Sequence, residues 1–276
     1  MKKYFRNIII ILFVGTIIIA TMLISNRGPK SKIVVLAESD IKAKGVTLSK
    51  SEDMGMTRYD IDTIRFKGFI LEIKDPKRIK VGFSKTLGKA GGSTSDIAKD
   101  NKAIAAINGG GFNDNSAAFP TGILMSKGKL ITYGSSNVKT SVMGITKDGV
   151  LIVGSHNLEQ LKSLGVTEAI SFGPCIVAEG VGQISGDGAQ GVSPRTAIGQ
   201  KKDGTIILLV VDGRQGLKVG ATLKEVQNIM LERDAYNATN LDGGSSSTMY
   251  YNGSLINKPC DASGERKVSS IVYVNP

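Results

Sequence analysis

Tryptophan is absent, histidine occurs once and cysteine twice in a chain of 276 residues. Each scarcity closes off a class of chemistry. Stacking platforms for nucleobases or for long neutral glycans need aromatic faces, and only 5% of the residues are aromatic. A Ser-His-Asp triad would have to use His156, which stands in a hairpin exit, Gly154-Ser155-His156-Asn157, and reads as a surface residue. A zinc site would combine that single imidazole with two distant thiols. Calcium leaves only a diffuse signal in its oxygen ligands, so Asp-rich loops stay open to it. The even pair Cys175 and Cys260 permits a disulfide in an oxidising compartment and equally suits two small buried side chains left free. No cofactor is implied.

What is present is ordinary for a folded protein: 41% hydrophobic and 21% charged residues, with no repeat or low-complexity tract. The formal charge of +11 is spread along the chain, with ten basic and five acidic residues in 1–60 and 25 against 19 beyond. Such a distribution gives no basic stripe for nucleic acid, although it suits an anionic partner. Lys2, Lys3 and Arg6 precede the apolar run Ile8–Ile24, about the shortest length that spans a bilayer as a helix. No small-x-small cleavage site follows it, so residues 1–25 read as a signal anchor. The basic flank keeps the N-terminus cytoplasmic and places the rest outside. The expected location is therefore the cell membrane, single-pass, with an extracytoplasmic domain. Runs such as Ile8-Ile9-Ile10-Ile11, with the Lys and Asn usage, point to a bacterium.

Residues 26–57 are polar and weakly periodic, as in a stalk, and the folded domain is expected over 58–276. Tyr59 to Lys74 alternates as strands with Gly68 at a turn or bulge. Hairpins are expected around Ser126-Lys127-Gly128, Lys147-Asp148-Gly149, Lys202-Asp203-Gly204 and Asn252-Gly253. Thr222-Leu223-Lys224-Glu225 is a capping box ahead of Val226, Ile229 and Met230 at helical spacing. Many strands, several hairpins and few helices argue an α+β fold of mixed or antiparallel sheets with a few flanking helices.

Four segments share a pattern in which an apolar strand runs into glycine beside polar residues. They are Ile107-Asn108-Gly109-Gly110-Gly111-Phe112, Val192 to Ala197, Val211-Asp212-Gly213-Arg214-Gln215, and Asn240 to Ser247. Consecutive glycines let backbone N–H groups form a concave nest for phosphate oxygens, although glycine after a strand is more often simply a turn. Asp148 and Asp203 belong to hairpin turns. Asp212 and Asp242 instead end apolar strands, where a charge needs a partner. Arg195, Arg214 and Arg266 can supply it, because a guanidinium matches phosphate and carboxylate in a bidentate fashion; salt bridges to Asp212 or Asp242 are the competing role.

Asn108 to Phe112, Ser193 to Gly199, Asp212 to Gln215, the helix from Thr222, Asn240 to Met249 and Gly264-Glu265-Arg266 to Val274 together resemble the phosphodiester glycosidase family. The resemblance runs in order from about Ile61 to Val274. It implies hydrolysis of a sugar 1-phosphodiester at the anomeric carbon, on the outer side of the membrane. On that reading Asp242 acts on water or the anomeric carbon and Asp212 is the second candidate. Arg195, Thr196, Arg214, Arg266 and the Gly109 to Gly111 and Gly243, Gly244 and Ser245 amides hold phosphate, while Asn108, Gln215 and Ser246 bind sugar hydroxyls. The substrate would be a phosphodiester-linked sugar of a wall or exopolysaccharide. Two other readings stay open: a non-catalytic module binding anionic surface polysaccharide, and a phosphodiesterase cutting the P–O bond.

Overall fold

The structure is a computed structural model and describes residues 47–276 except 115–117, 133 and 135–136, with backbone alone for 47–53. The apolar run Ile8–Ile24 and most of the expected stalk lie outside the described residues. Among the described residues no helix is long and apolar enough to cross a membrane.

Strands β1 (Thr47–Asp53) and β2 (Met56–Asp62) form a hairpin over Met54-Gly55, both at positive φ, so the sheet begins ahead of the expected start at Arg58. The sequence Thr-Leu-Ser-Lys-Ser-Glu-Asp of β1 is mostly polar, as suits an edge strand, and carries little hydrophobic signal. Strand β3 (Lys67–Ile73) pairs with β2 in unbroken register, with Gly68 opposite Ile61. Gly68 therefore marks neither turn nor bulge. The turn is Thr63–Phe66, where the Thr63 hydroxyl accepts from the Phe66 amide at 2.9 Å.

The chain continues through β4 (Ile79–Phe83), helix α1 (Thr94–Asp100), β5 (Ala105–Asn108), the short pair β6 (Phe112–Asn113) and β7 (Phe119–Pro120), then β8 (Leu124–Ser126) and β9 (Lys129–Thr132). Next come β10 (Thr140–Thr146), β11 (Leu151–His156), α2 (Leu158–Ser163), β12 (Val166–Ser171), β13 (Cys175–Ala178) and β14 (Val181–Gly182). The last third holds β15 (Arg195–Lys201), β16 (Ile206–Val211), α3 (Leu223–Glu232), β17 (Ala235–Leu241), β18 (Met249–Tyr251), β19 (Ser254–Leu255) and β20 (Ser270–Val274). The four expected hairpins form. At Asn252-Gly253 and Lys127-Gly128 both turn residues have positive φ, the geometry that matches strand twist. Helix α3 starts with the expected capping box, each of Thr222 and Glu225 accepting from the other's backbone.

Every named strand pair is antiparallel. The large sheet runs β1-β2-β3-β16-β15-β17-β13-β14, and two five-stranded sheets run β11-β10-β12-β8-β9 and β19-β18-β5-β20-β4. In β16 the run Ile206 to Val211 is buried on both faces: Ile206, Leu208 and Val210 join the core shared with the five-stranded sheets, and Ile207, Leu209 and Val211 join the core under α3. Burial on both faces explains why that strand reads as a continuous apolar run. The outer faces of the smaller sheets are closed by α1, through Ile97 and Ala98, and by α2, through Leu158 and Leu161.

Glu168 on β12 links the two smaller sheets, its carboxylate accepting from the Val81 amide of β4 at 3.0 Å. Burial pushes its pKa up, with the amide hydrogen bond only partly opposing this. Glu168→Ala strands that amide and is expected to destabilise the fold by about 1–3 kcal/mol in urea unfolding. Glu168→Gln keeps an acceptor there and should lose less.

Candidate active site

The large sheet brings the glycine-flanked motifs to one end. In its centre Arg195 pairs with Val211 and Thr196 with Leu241, so the start of β15 lies between the strand ends that lead into Asp212 and Asp242. Asn108, at the end of β5, joins them from the neighbouring sheet. Its side-chain amide donates to the Asp242 carbonyl at 2.6 Å, and its oxygen accepts from the Thr196 hydroxyl at 2.7 Å and the Thr248 amide at 3.2 Å. Asn108 and Thr196 are both fully buried. Their hydrogen bonds are spent on holding strand ends together.

The Gly109 and Gly110 amides are likewise engaged. Gly109 N–H donates to the Ser270 carbonyl and Gly110 N–H to the Ser270 hydroxyl, at 2.8 and 3.2 Å. None of the three glycines has positive φ. They are small because strands crowd them: a Cβ on Gly110 would stand 2.1 Å from the Ile170 side chain and 2.8 Å from the Ser171 carbonyl. Close packing, rather than an anion nest, requires glycine there.

Asp242 sits in a different environment. Its backbone N–H donates to the Gly109 carbonyl at 3.1 Å, which fixes the turn. Burial pushes its carboxyl up from the ordinary aspartate range, against the Ser246 hydroxyl, the Arg266 charge and the Gly243 amide; Asp114 raises it further. Arg266 donates to the Ser246 hydroxyl at 3.1 Å, pairs with Asp114 and lies 4.8 Å from the centre of the Phe112 ring. Asp242, Ser246, Arg266 and Asp114 thus form one connected group, whose last member was absent from the expected set. Its signal was available: Asp114 follows the glycine run by three residues.

Beyond the Gly243–Ser247 turn lie two cations. Gly244, at φ +60, passes within 3.5 Å of the Arg214 guanidinium, as gauged from its missing Cβ. Arg214 donates to the Ser193 hydroxyl at 3.0 Å, and no carboxylate among the described residues pairs with it. Arg195 is buried, and its guanidinium donates to the carbonyls of Ala221, Gln190 and Gly191 and to the Gln190 side chain. It has no carboxylate partner either; burial, then the charge of Arg214, push its pKa down. Most of its donors are used on the 190–191 loop, so of the three expected phosphate clamps Arg214 is the one left open.

Asp212 faces elsewhere. Its oxygens accept from the Asn257 side chain at 2.7 Å and from the Lys258 amide at 3.0 Å. It lines a cavity of about 410 Å³ with Gln215, Lys67, Phe69, Ile256 and Lys258. Strand alternation puts Val211 on the α3 side and Asp212 on the other, whereas Arg195 reaches Ala221 on the α3 side. Burial pushes Asp212 up, opposed first by Asn257. Gln215 donates to the Lys258 carbonyl at 2.5 Å. Asn257, which carried no sequence signal, also donates to the Ser247 carbonyl and accepts from the Met249 amide, so Asp212 braces the turn that carries Asp242. Cys175 and Cys260 are both free.

Comparison with known proteins places the chain in a family. The family model for phosphodiester glycosidases matches residues 101–275. N-acetylglucosamine-1-phosphodiester alpha-N-acetylglucosaminidase is 28% identical in Bos taurus and 29% in Homo sapiens, each over 207 residues and 66% of this chain. The match spans 39% and 40% of those relatives, so this chain corresponds to about two fifths of their length. The catalytic domain of the zebrafish enzyme, auto-inhibited by its pro-peptide, superposes with a TM-score of 0.68 at 26% identity, covering 84% of this chain and 82% of that one.

Asn108→Ala is expected to lower stability by about 2–4 kcal/mol, since it strands the Thr248 amide and frees the Asp242 carbonyl. The urea midpoint measures this; a raised KM with unchanged stability would instead restore a sugar-binding role.

Proposed function

The chain belongs to the phosphodiester glycosidase family, and we propose that it hydrolyses the bond between a sugar's anomeric carbon and a phosphodiester oxygen. The single observation that carries this reading is that the partly buried Asp242 and the Arg214 guanidinium, which has no acidic partner among the described residues, flank one turn. Asp242 takes a proton from water, whose oxygen attacks the anomeric carbon. The C–O electron pair leaves on the phosphate oxygen, giving free sugar and a phosphomonoester.

A phosphate leaves as a stable anion, so electrostatic support replaces much of the work of a protonating acid. Arg214 and the Gly243–Ser245 turn hold it, and the buried positive charge of Arg195 adds to the potential. Asp114, bridged to Asp242 by Arg266 and Ser246, is the second carboxyl group of the site, in place of Asp212. Arg266, stacked on Phe112 and tied to both carboxylates' surroundings, keeps them in register. The relatives named above act, by their names, on a phosphodiester-linked N-acetylglucosamine, which suggests a sugar of that class here. The apolar run Ile8–Ile24 behind Lys2, Lys3 and Arg6 supports an extracytoplasmic site on a bacterial surface component.

Asp242→Asn is expected to reduce turnover by about 10² to 10⁴ on a model sugar phosphodiester. Because ionised Asp242 is the base and its pKa is raised, kcat/KM should climb on an acid limb above the ordinary aspartate range, and the variant should lose that limb. Near-normal turnover in the variant removes Asp242 from the role. Isotope-labelled water tests the bond cleaved: the label belongs on the sugar, and label on phosphorus would make the protein a phosphodiesterase. Arg214→Ala should raise KM for the phosphodiester while leaving inhibition by the free sugar unchanged.

A further inference from the structure

Three loops next to Arg214 carry large aliphatic side chains into solvent. Ile64 is 73% exposed in the turn between β2 and β3, Leu217 is 83% exposed in the loop after β16, and Val192 and Val219 are each more than two-fifths exposed. Single exposed aliphatics are common on any protein surface and need no account. These four are not dispersed. The Gly220 amide donates to the Arg65 carbonyl at 3.1 Å, the Lys218 ammonium reaches Asp62 and the Thr63 carbonyl, and Ser193 and Ala221 exchange a pair of backbone bonds. The loops are thus stitched edge to edge into one rim beside Arg214.

The rim is also cationic. Lys67 and Lys218 share a single carboxylate, Asp62, and Arg65 is balanced by Glu225, while Arg214 has no acidic partner among the described residues. Exposed aliphatic tips between excess cations are the chemistry of a surface that inserts shallowly into an anionic lipid layer. A soluble polysaccharide would be served by polar donors there instead. The 214–219 loop makes the connection to the site explicit. One end holds the guanidinium assigned to the leaving phosphate, and three residues later its tip is the most exposed of the large apolar side chains. A ligand whose phosphate sits at Arg214 and whose aglycone runs outward must pass over Leu217, Val219 and Val192.

Resting on the hydrolase reading above, we propose that the aglycone is a lipid: the substrate is a sugar 1-phosphate esterified to a membrane-embedded hydrocarbon chain, and the Ile64–Leu217 rim is the surface that meets the bilayer. The bilayer then concentrates substrate at the rim, and the loop tips set the depth at which the phosphodiester reaches Arg214.

The absence of tryptophan supplies a clean reporter. Leu217→Trp in the full chain introduces the single indole, and its emission should move to shorter wavelength on adding vesicles containing anionic phospholipid. Val150→Trp, at the opposite end of the large sheet beside Gly149 and Gln200, is the control and should not shift. In the second arm, two compounds share sugar and phosphodiester, one with a short soluble alkyl group and one with a long acyl lipid in vesicles. Ile64→Ser with Leu217→Ser should lower kcat/KM on the lipid compound by on the order of tenfold or more and leave the soluble one within about twofold. An unshifted Leu217→Trp spectrum, or equal losses on both compounds, overturns the rim. A shifted spectrum without hydrolysis of either compound upholds the rim as a lipid surface and fails only the hydrolase reading.

Discussion

A single buried amide organises the site. Asn108 lies at the end of one sheet, and through three hydrogen bonds it ties the carbonyl of Asp242, the hydroxyl of Thr196 and the amide of Thr248 to that end. Thr196 lies in β15 of the large sheet, Asp242 directly follows β17 of that sheet, and Thr248 directly precedes β18 of a smaller one. Buried amides and carbonyls must find partners, so the arrangement is both obligatory and geometrically narrow. The consequence for chemistry is that the backbone of Asp242 has no freedom. Its carbonyl is held by Asn108 and its N–H by the Gly109 carbonyl, and only the carboxylate is left to act. Asn257 repeats the device one turn on, bracing Ser247 and Met249 against Asp212.

Much of this was legible in advance, and the failures have identifiable causes. Hairpins over Lys-Gly and Asn-Gly pairs were readable because only residues tolerating positive φ fill those turns. Helix α3 was readable because its cap is local, Thr222 to Glu225. The first hairpin was not, since β1 is a polar edge strand whose pairing comes from a partner and not from its own pattern. Gly68 was misjudged for a similar reason: it faces Ile61, whose side chain would stand 3.5 Å from an added Cβ, and a glycine that makes room for a neighbour looks in sequence like one that turns a chain.

The same ambiguity governs the site. The structure brings the four glycine-flanked motifs near one end of the large sheet, yet composition alone does not separate a nest from a tight crossing. Gly109 to Gly111 serve the crossing, while Gly244, with positive φ beside Arg214, has the geometry of an open turn. Residue type also conceals direction. Asp212 and Asp242 end adjacent strand pairs in the same manner, but alternation along β16 turns Asp212 toward Asn257 and Lys258. The place of Asp114 after the glycine run was legible, but its pairing with Arg266, more than half the chain away, was not.

Charge placement then decides what the site favours. A buried guanidinium with no counter-ion is costly, because desolvation is not repaid by an adjacent carboxylate. Arg195 tolerates burial by donating to three carbonyls and one side-chain amide, all neutral, so its full charge still projects toward Arg214. Arg266, by contrast, has its charge matched by Asp114. Two arginines on one side of the Gly243–Ser247 turn therefore lack an anionic partner among the described residues, and on the other side a carboxylate is kept from ionising easily by burial and by Asp114. On the proposed reading, a phosphodiester against Arg214 would correct the first imbalance without touching the second, and Asp242 would stay basic enough to take a proton from water. That separation, one turn wide, keeps the Arg214 charge and the Asp242 carboxyl from neutralising each other.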